Sequence, residues 1–135
     1  MDRTFDKVFR GTAFTSKSPQ EVSVWEDCLF CLDAEGVIRR ILKPQDSDYG
    51  TVLDSYSGTE SFIALAEGQY CLPGFIDLHI HAPQWAQAGT AMDIPLHDWL
   101  ATYTFPLESK FSDLDFARKV YQDLVTTLLA NGTTT

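Results

Sequence analysis

The spacing of apolar residues splits the chain into a first part patterned in short β-like runs and a second part dominated by helical period. Val8 to Phe14 is rich in β-formers and ends at the loop Ser16-Lys17-Ser18-Pro19. Val22 to Leu32 reads as a second strand, with Val22, Val24, Leu29, Phe30 and Leu32 as its buried positions. Asp33-Ala34-Glu35-Gly36 is a hairpin turn, and Val37 to Leu42 returns as a third strand. The polar stretch 43–58, rich in Asp, Ser and Gly, predicts a long loop, and Phe62 to Leu65 a fourth short strand. Residues 1–71 therefore read as a small all-β unit.

Residues 72–135 follow a different rule. Pro73-Gly74 signals a turn, and Phe75 to Ile80 is an apolar run interrupted only by Asp77 and His79. Alternation along a strand puts Asp77, His79 and His81 on one side and Ile76, Leu78 and Ile80 on the other. A loop from Ala82 to Asp93 follows. Pro95 then suits the first turn of a helix whose apolar face is Leu96, Trp99, Leu100 and Tyr103, and Pro106 is expected to break it. The last helix is the clearest element: Ser112 or Asp113 caps it, and Phe116, Ala117, Val120, Tyr121, Leu124, Val125, Leu128 and Leu129 form a wide stripe. Asn131-Gly132 stops it, and Thr133-Thr134-Thr135 opens another strand. Strand, loop, helix and strand start make one unit of a repeating β/α fold, so the fold class is α/β.

Composition narrows the partners. Ten Lys and Arg against nineteen Asp and Glu leave a net charge of −9, which argues against nucleic acid or an anionic membrane surface. No run approaches the ~20 apolar residues of a membrane span, and Met1 to Asp6 lacks the apolar core of a secretory signal, so a cytosolic protein is expected. Three cysteines do not suggest a disulfide framework. Cys28-Leu29-Phe30-Cys31 has C-x-x-C spacing, but it lies inside an apolar run without a second pair, and ordinary buried thiols are the expectation.

The chemistry concentrates after the Pro-Gly turn. Two imidazoles two residues apart at a strand's end reach one metal ion, and neutral imidazole is a common zinc ligand. A His-x-His pair alone is a weak signal, more often a surface or satisfied core pair; the flanking turn, buried strand and loop favour ligands delivered at the C-terminal end of a barrel strand. His97 lies off its helix face and is expected in solvent. Gln84 is by itself an ordinary loop amide. Trp85 either stacks on a base or seals a barrel mouth, and Asp77 suits a structural hydrogen bond better than catalysis.

Leu72-Pro73-Gly74-Phe75-Ile76-Asp77-Leu78-His79-Ile80-His81 resembles the first barrel strand of the amidohydrolase superfamily. Residues His81 to Trp85, Ala88-Gly89-Thr90, Asp93 to Leu96, Trp99-Leu100, Tyr103 to Pro106 and Asn131 to Thr135 look like the guanine deaminases within it. The resemblance implies an incomplete (β/α)8 TIM barrel over 72–135, preceded by the N-terminal part of a β-sandwich over 1–71. It implies zinc (Zn2+) held by His79 and His81, and guanine contacted by His81, Ala82, Pro83, Gln84 and Trp85. It also implies hydrolytic deamination of guanine to xanthine and ammonia, and a homodimer. A closed barrel takes ~250 residues, so the sequence is expected to be the N-terminal part of a longer enzyme, inactive alone, with the remaining ligands and the proton shuttle beyond Thr135. Another amidohydrolase activity and a noncatalytic partner-binding role are the alternative readings. The H-x-E and P-C-x-x-C pattern of the other zinc deaminases has no counterpart here.

Overall fold

Strands β1 (Lys7–Ser18) and β2 (Glu21–Leu32) pair antiparallel across the two residues Pro19 and Gln20, and they are the frame on which the first half is laid. The computed structural model describes residues 5–135; the first four residues of Met1 to Asp6, the stretch read as lacking a leader core, lie outside them. The ladder slips once in mid-strand. Gly11 opposes Cys28 and Ala13 opposes Trp25, so Thr12 faces both Glu26 and Asp27, a β-bulge. Asp27 takes the left-handed conformation there, φ 53°. Its carboxylate accepts two bonds from the Arg10 guanidinium, 2.6 and 2.9 Å, and one from the Tyr49 hydroxyl, 2.9 Å. Aspartate tolerates that backbone better than most side chains, and these bonds hold it there.

β3 (Ile38–Leu42) pairs antiparallel with β2. The turn before it is built by Asp33, whose carboxylate accepts from the amides of Glu35 and Val37, with Gly36 at φ 78°. β4 (Phe62–Ala64) and β5 (Tyr70–Cys71) both lie parallel to β1, giving the order β3-β2-β1-β4 with β5 on the same edge of β1.

The stretch 43–58 is not all loop. Helix α1 (Tyr49–Tyr56) forms within it because Tyr49, Val52, Leu53 and Tyr56 recur at helical spacing. They pack on the sheet face of Val8, Leu29, Cys31 and Leu42. The other face carries Ala13, Cys28 and Phe30, and lines an open apolar groove of about 630 Å³. Strand alternation thus sends Cys28 and Cys31 to opposite sides of the sheet, and C-x-x-C spacing makes no pair here. Both thiols are fully buried, and burial raises their pKa.

The sheet unit runs through Pro73, and a second unit begins at Gly74. In it, α2 (Leu96–Trp99) leads into a π-helical turn, Leu100–Thr104, and on into α3 (Phe105–Glu108). Pro106 therefore does not end the helix. It has no N–H to offer the carbonyl of Thr102, and the coil widens just before it. A 3-10 turn, Ser109–Ser112, leads to α4 (Leu114–Ala130). Asp113 caps α4 by accepting from the amides of Asp115 and Phe116. At the other end Thr133 donates to Leu128 and Gly132 to Leu129, with Gly132 at φ 85°, the paired bonds of a Schellman stop. Of the expected stripe, Val120 and Leu124 are buried, whereas Tyr121, Val125 and Leu129 face outward. No described helix is long and apolar enough to cross a membrane.

Candidate metal centre and substrate turn

The expected strand 75–80 is shorter than its apolar run. Phe75 donates to Gly132 at 2.7 Å, Thr134 donates to Phe75 at 2.9 Å and Asp77 donates to Thr135 at 2.7 Å, a parallel ladder of three bonds. Gly74 is needed for that ladder through space rather than through φ. A Cβ there would fall on the hydroxyl and methyl of Thr134 and lie 2.8 Å from its Cβ, while Gly74 has no positive φ.

After Asp77 the backbone bends away. The Asp77 carboxylate accepts from the amide of His79 at 3.0 Å, a local turn that is its structural role. The bend still delivers the two imidazoles together. His79 Nε2 and His81 Nε2 lie 2.8 Å apart, with ring centroids 4.8 Å apart. Both nitrogens are thus aimed at one region. Two imidazoles on one tetrahedral zinc at ~2.0–2.1 Å each would stand about 3.3 Å apart, a separation that a small ring rotation would reach. The donor set fits zinc, as two of the ligands it requires. Among the described residues no third His, Cys, Asp or Glu joins the pair. His97 pairs with Asp98 in solvent, 3.2 Å.

Directly after His81 the chain winds into a 3-10 turn, Ala82–Gln87, with Pro83 in its first positions. Side chains three apart eclipse in such a turn, so Gln84 and Gln87 share one edge. Gln84 reaches Glu108 at 3.5 Å, a long contact. Gln87, buried, donates to the buried Thr104 hydroxyl at 2.7 Å. Trp85 leaves from another side, and its indole N–H donates to Asp123 on α4 at 2.8 Å. Gln84, Trp85 and Gln87 all lie in the loop that the sequence marks, whereas Thr104 and Asp123 carry no local signal. The spacing of the two glutamines behind Pro83 was the available signal.

The model of the amidohydrolase family matches residues 70–135. The guanine deaminase of Dictyostelium discoideum is 40% identical over 137 residues, covering 96% of this chain. That of Mus musculus is 37% identical over 129 residues, covering 95% of this chain. A crystal structure of guanine deaminase from C. acetobutylicum with bound guanine in the active site superposes with a TM-score of 0.66 at 31% identity, over 95% of this chain and 28% of that one. The chain spans 30% of the length of the Dictyostelium protein and 28% of the mouse protein. The stretch that matches the amidohydrolase family model holds both converging histidines and the short parallel ladder ahead of them.

Proposed function

We propose that this chain carries the first metal-ligand pair and the substrate turn of a guanine deaminase, an enzyme that hydrolyses guanine to xanthine and ammonia. In this reading residues 72–135 are the opening strand–helix unit of a (β/α)8 barrel, and residues 1–71 belong to an accompanying β-sandwich. The observation that carries it is the 2.8 Å approach of His79 and His81 immediately ahead of the Gln84 turn. The similarity to guanine deaminases over nearly the whole chain supports the substrate.

His79 and His81 would hold zinc, which when bound lowers the pKa of a water and so supplies hydroxide for attack on the carbon bearing the exocyclic amine. The chain's own residues do the rest of what is argued here. His79 and His81 would each offer a neutral imidazole nitrogen to the metal. Gln84 offers one donor group and one acceptor, which suits the mixed hydrogen-bonding edge of guanine. Ala82 and Pro83 place backbone carbonyls beside it, and Pro83 fixes the turn's φ. Trp85 serves from the flank, since its indole N–H is already committed to Asp123.

The test puts this chain in place of the matching segment of the Dictyostelium enzyme and measures xanthine and ammonia formed from guanine. Turnover in the graft, and its loss by a factor of about a thousand or more in His79→Asn, is the expected result. A folded, zinc-loaded graft that leaves guanine untouched refutes the proposal.

A further inference from the structure

We infer that Gln87 and Thr104 are positioning residues that fix the turn carrying Gln84, and so set its readiness to meet the substrate. The part concerning substrate rests on the guanine deaminase reading. The geometry has two matched periods. Gln84 and Gln87 are one 3-10 turn apart on a shared edge, and Thr104 and Glu108 are four apart across the π-turn and α3. The two edges therefore zip together, but with unequal closures. Gln87 to Thr104 is short, 2.7 Å, and both side chains are more than nine-tenths buried. Gln84 to Glu108 is 3.5 Å and half-exposed.

A buried bond is costly to leave half-made, because the stranded partner has no water to turn to. An exposed long contact is cheap to exchange. The inner glutamine is thus the anchor, and the outer one is free to trade Glu108 for a ligand. Glu108 also favours one orientation: a carboxylate accepts only, so it draws the amide nitrogen of Gln84 and leaves the carbonyl oxygen free for a ligand N–H. Trp85 to Asp123 pins the same turn to α4 from a different side. The turn is thereby held by side chains at two points besides its own backbone bonds, in which Gln84 donates to His81 and Ala88 to Trp85.

The experiment has two readouts. On the full 135-residue chain, hydrogen exchange at the amides of Gln84, Ala88 and Thr90 is compared for wild type, Gln87→Met, Thr104→Val and Thr104→Ser. About tenfold faster exchange is expected in the first two variants, confined to the turn. Thr104→Ser, which keeps the hydroxyl, should restore the wild-type rate. In the grafted enzyme, Gln87→Met should raise KM for guanine several-fold with kcat changed less than twofold. Unchanged exchange in Gln87→Met and Thr104→Val overturns the anchor, whatever the activity. Faster exchange with unchanged KM in an active graft overturns the link to Gln84. If the wild-type graft is itself inactive on guanine, the parent reading fails and the substrate half of this inference falls with it, while the exchange data still decide the anchor.

Discussion

Replacing Gly74 by alanine tests whether close packing of two chain segments builds the platform for the histidines. The new methyl carbon would lie 2.8 Å from the Cβ of Thr134 and overlap its hydroxyl and methyl as well. Rotating χ1 of Thr134 moves the last two atoms, but it cannot move a Cβ, so the backbones must part. Overpacking of this kind costs about 1–3 kcal/mol. Opening the ladder instead gives up three backbone bonds of 2.7–2.9 Å, each worth about 1 kcal/mol net. The two routes converge on about 2–3 kcal/mol, which exceeds the 0.4–1 kcal/mol that alanine returns by stiffening the unfolded chain. The assay is amide exchange at Phe75, Asp77 and Thr134. It should quicken by roughly 30- to 100-fold in Gly74→Ala, with the amides of β1 and β2 unaffected. Adding Thr134→Gly removes the obstructing Cβ and should recover much of the protection. Protection in Gly74→Ala equal to wild type would refute the close-approach argument.

The bulge at Asp27 should make stability depend on pH. Its carboxyl is held below the usual range, first by the Arg10 hydrogen bond and then by Tyr49; its stabilising contribution is therefore present above about pH 4 and is lost as pH falls through the lowered value. Both side chains are more than a third exposed, so Asp27→Asn should cost only about 0.5–1 kcal/mol at pH 7. Urea midpoints should merge with wild type near pH 2, and a gap that persists there would contradict the linkage. Disulfide-exchange labelling of the native chain should reach Cys71 first, because Cys28 and Cys31 are fully buried, though burial raises the pKa of all three; equal rates would show the sheet opening freely. By itself the 135-residue chain should release no ammonia from guanine with zinc present, since a catalytic zinc takes about three protein ligands and the described residues bring together two. Zinc should still bind this chain weakly through the pair. Two of the four ligands of sites worth ~10–16 kcal/mol suggest a Kd on the order of 0.1 mM to 1 μM, and nanomolar affinity, or affinity indifferent to His81→Ala, would show that other groups hold the metal.

Much of the site was legible because its signals are local. The His-x-His spacing and the Asp113 and Gly132 ends of α4 each act within a few residues, and each is where the pattern placed it. What was not legible depends on neighbours distant in sequence. Gly74 looked like a turn glycine, and only the return of the chain at Thr134 reveals why a Cβ is excluded. The polar flanks of 43–58 hid the four apolar residues of α1, whose helix exists by virtue of the sheet face it covers. Pro106 carried a strong local prohibition against helix, and the chain met it with a single widened turn instead of a break. That widened turn is also where Thr104 sits, the buried partner of Gln87, so the same irregularity hid a residue that bears on the candidate site.

The two halves of the candidate site differ in how firmly the chain itself determines them. The Gln84 turn is tied by a buried side-chain bond to the π-turn and by an exposed one to α4, both within about 40 residues of it. Among the described residues the histidine segment is tied on one edge, by three backbone bonds and the Asp77 turn. Its aliphatic partners, Ile76, Leu78 and Ile80, stand in solvent, with Leu78 92% exposed. A stretch of that apolarity gains about 1.5–3 kcal/mol per residue when covered, more than any of the bonds now fixing it. In a barrel, covering that face would therefore dominate the placement of His79 and His81, whereas the placement of Gln84 is already determined. Metal affinity should accordingly respond strongly to what packs on Ile76, Leu78 and Ile80, and recognition by the turn should respond chiefly to Gln87 and Thr104.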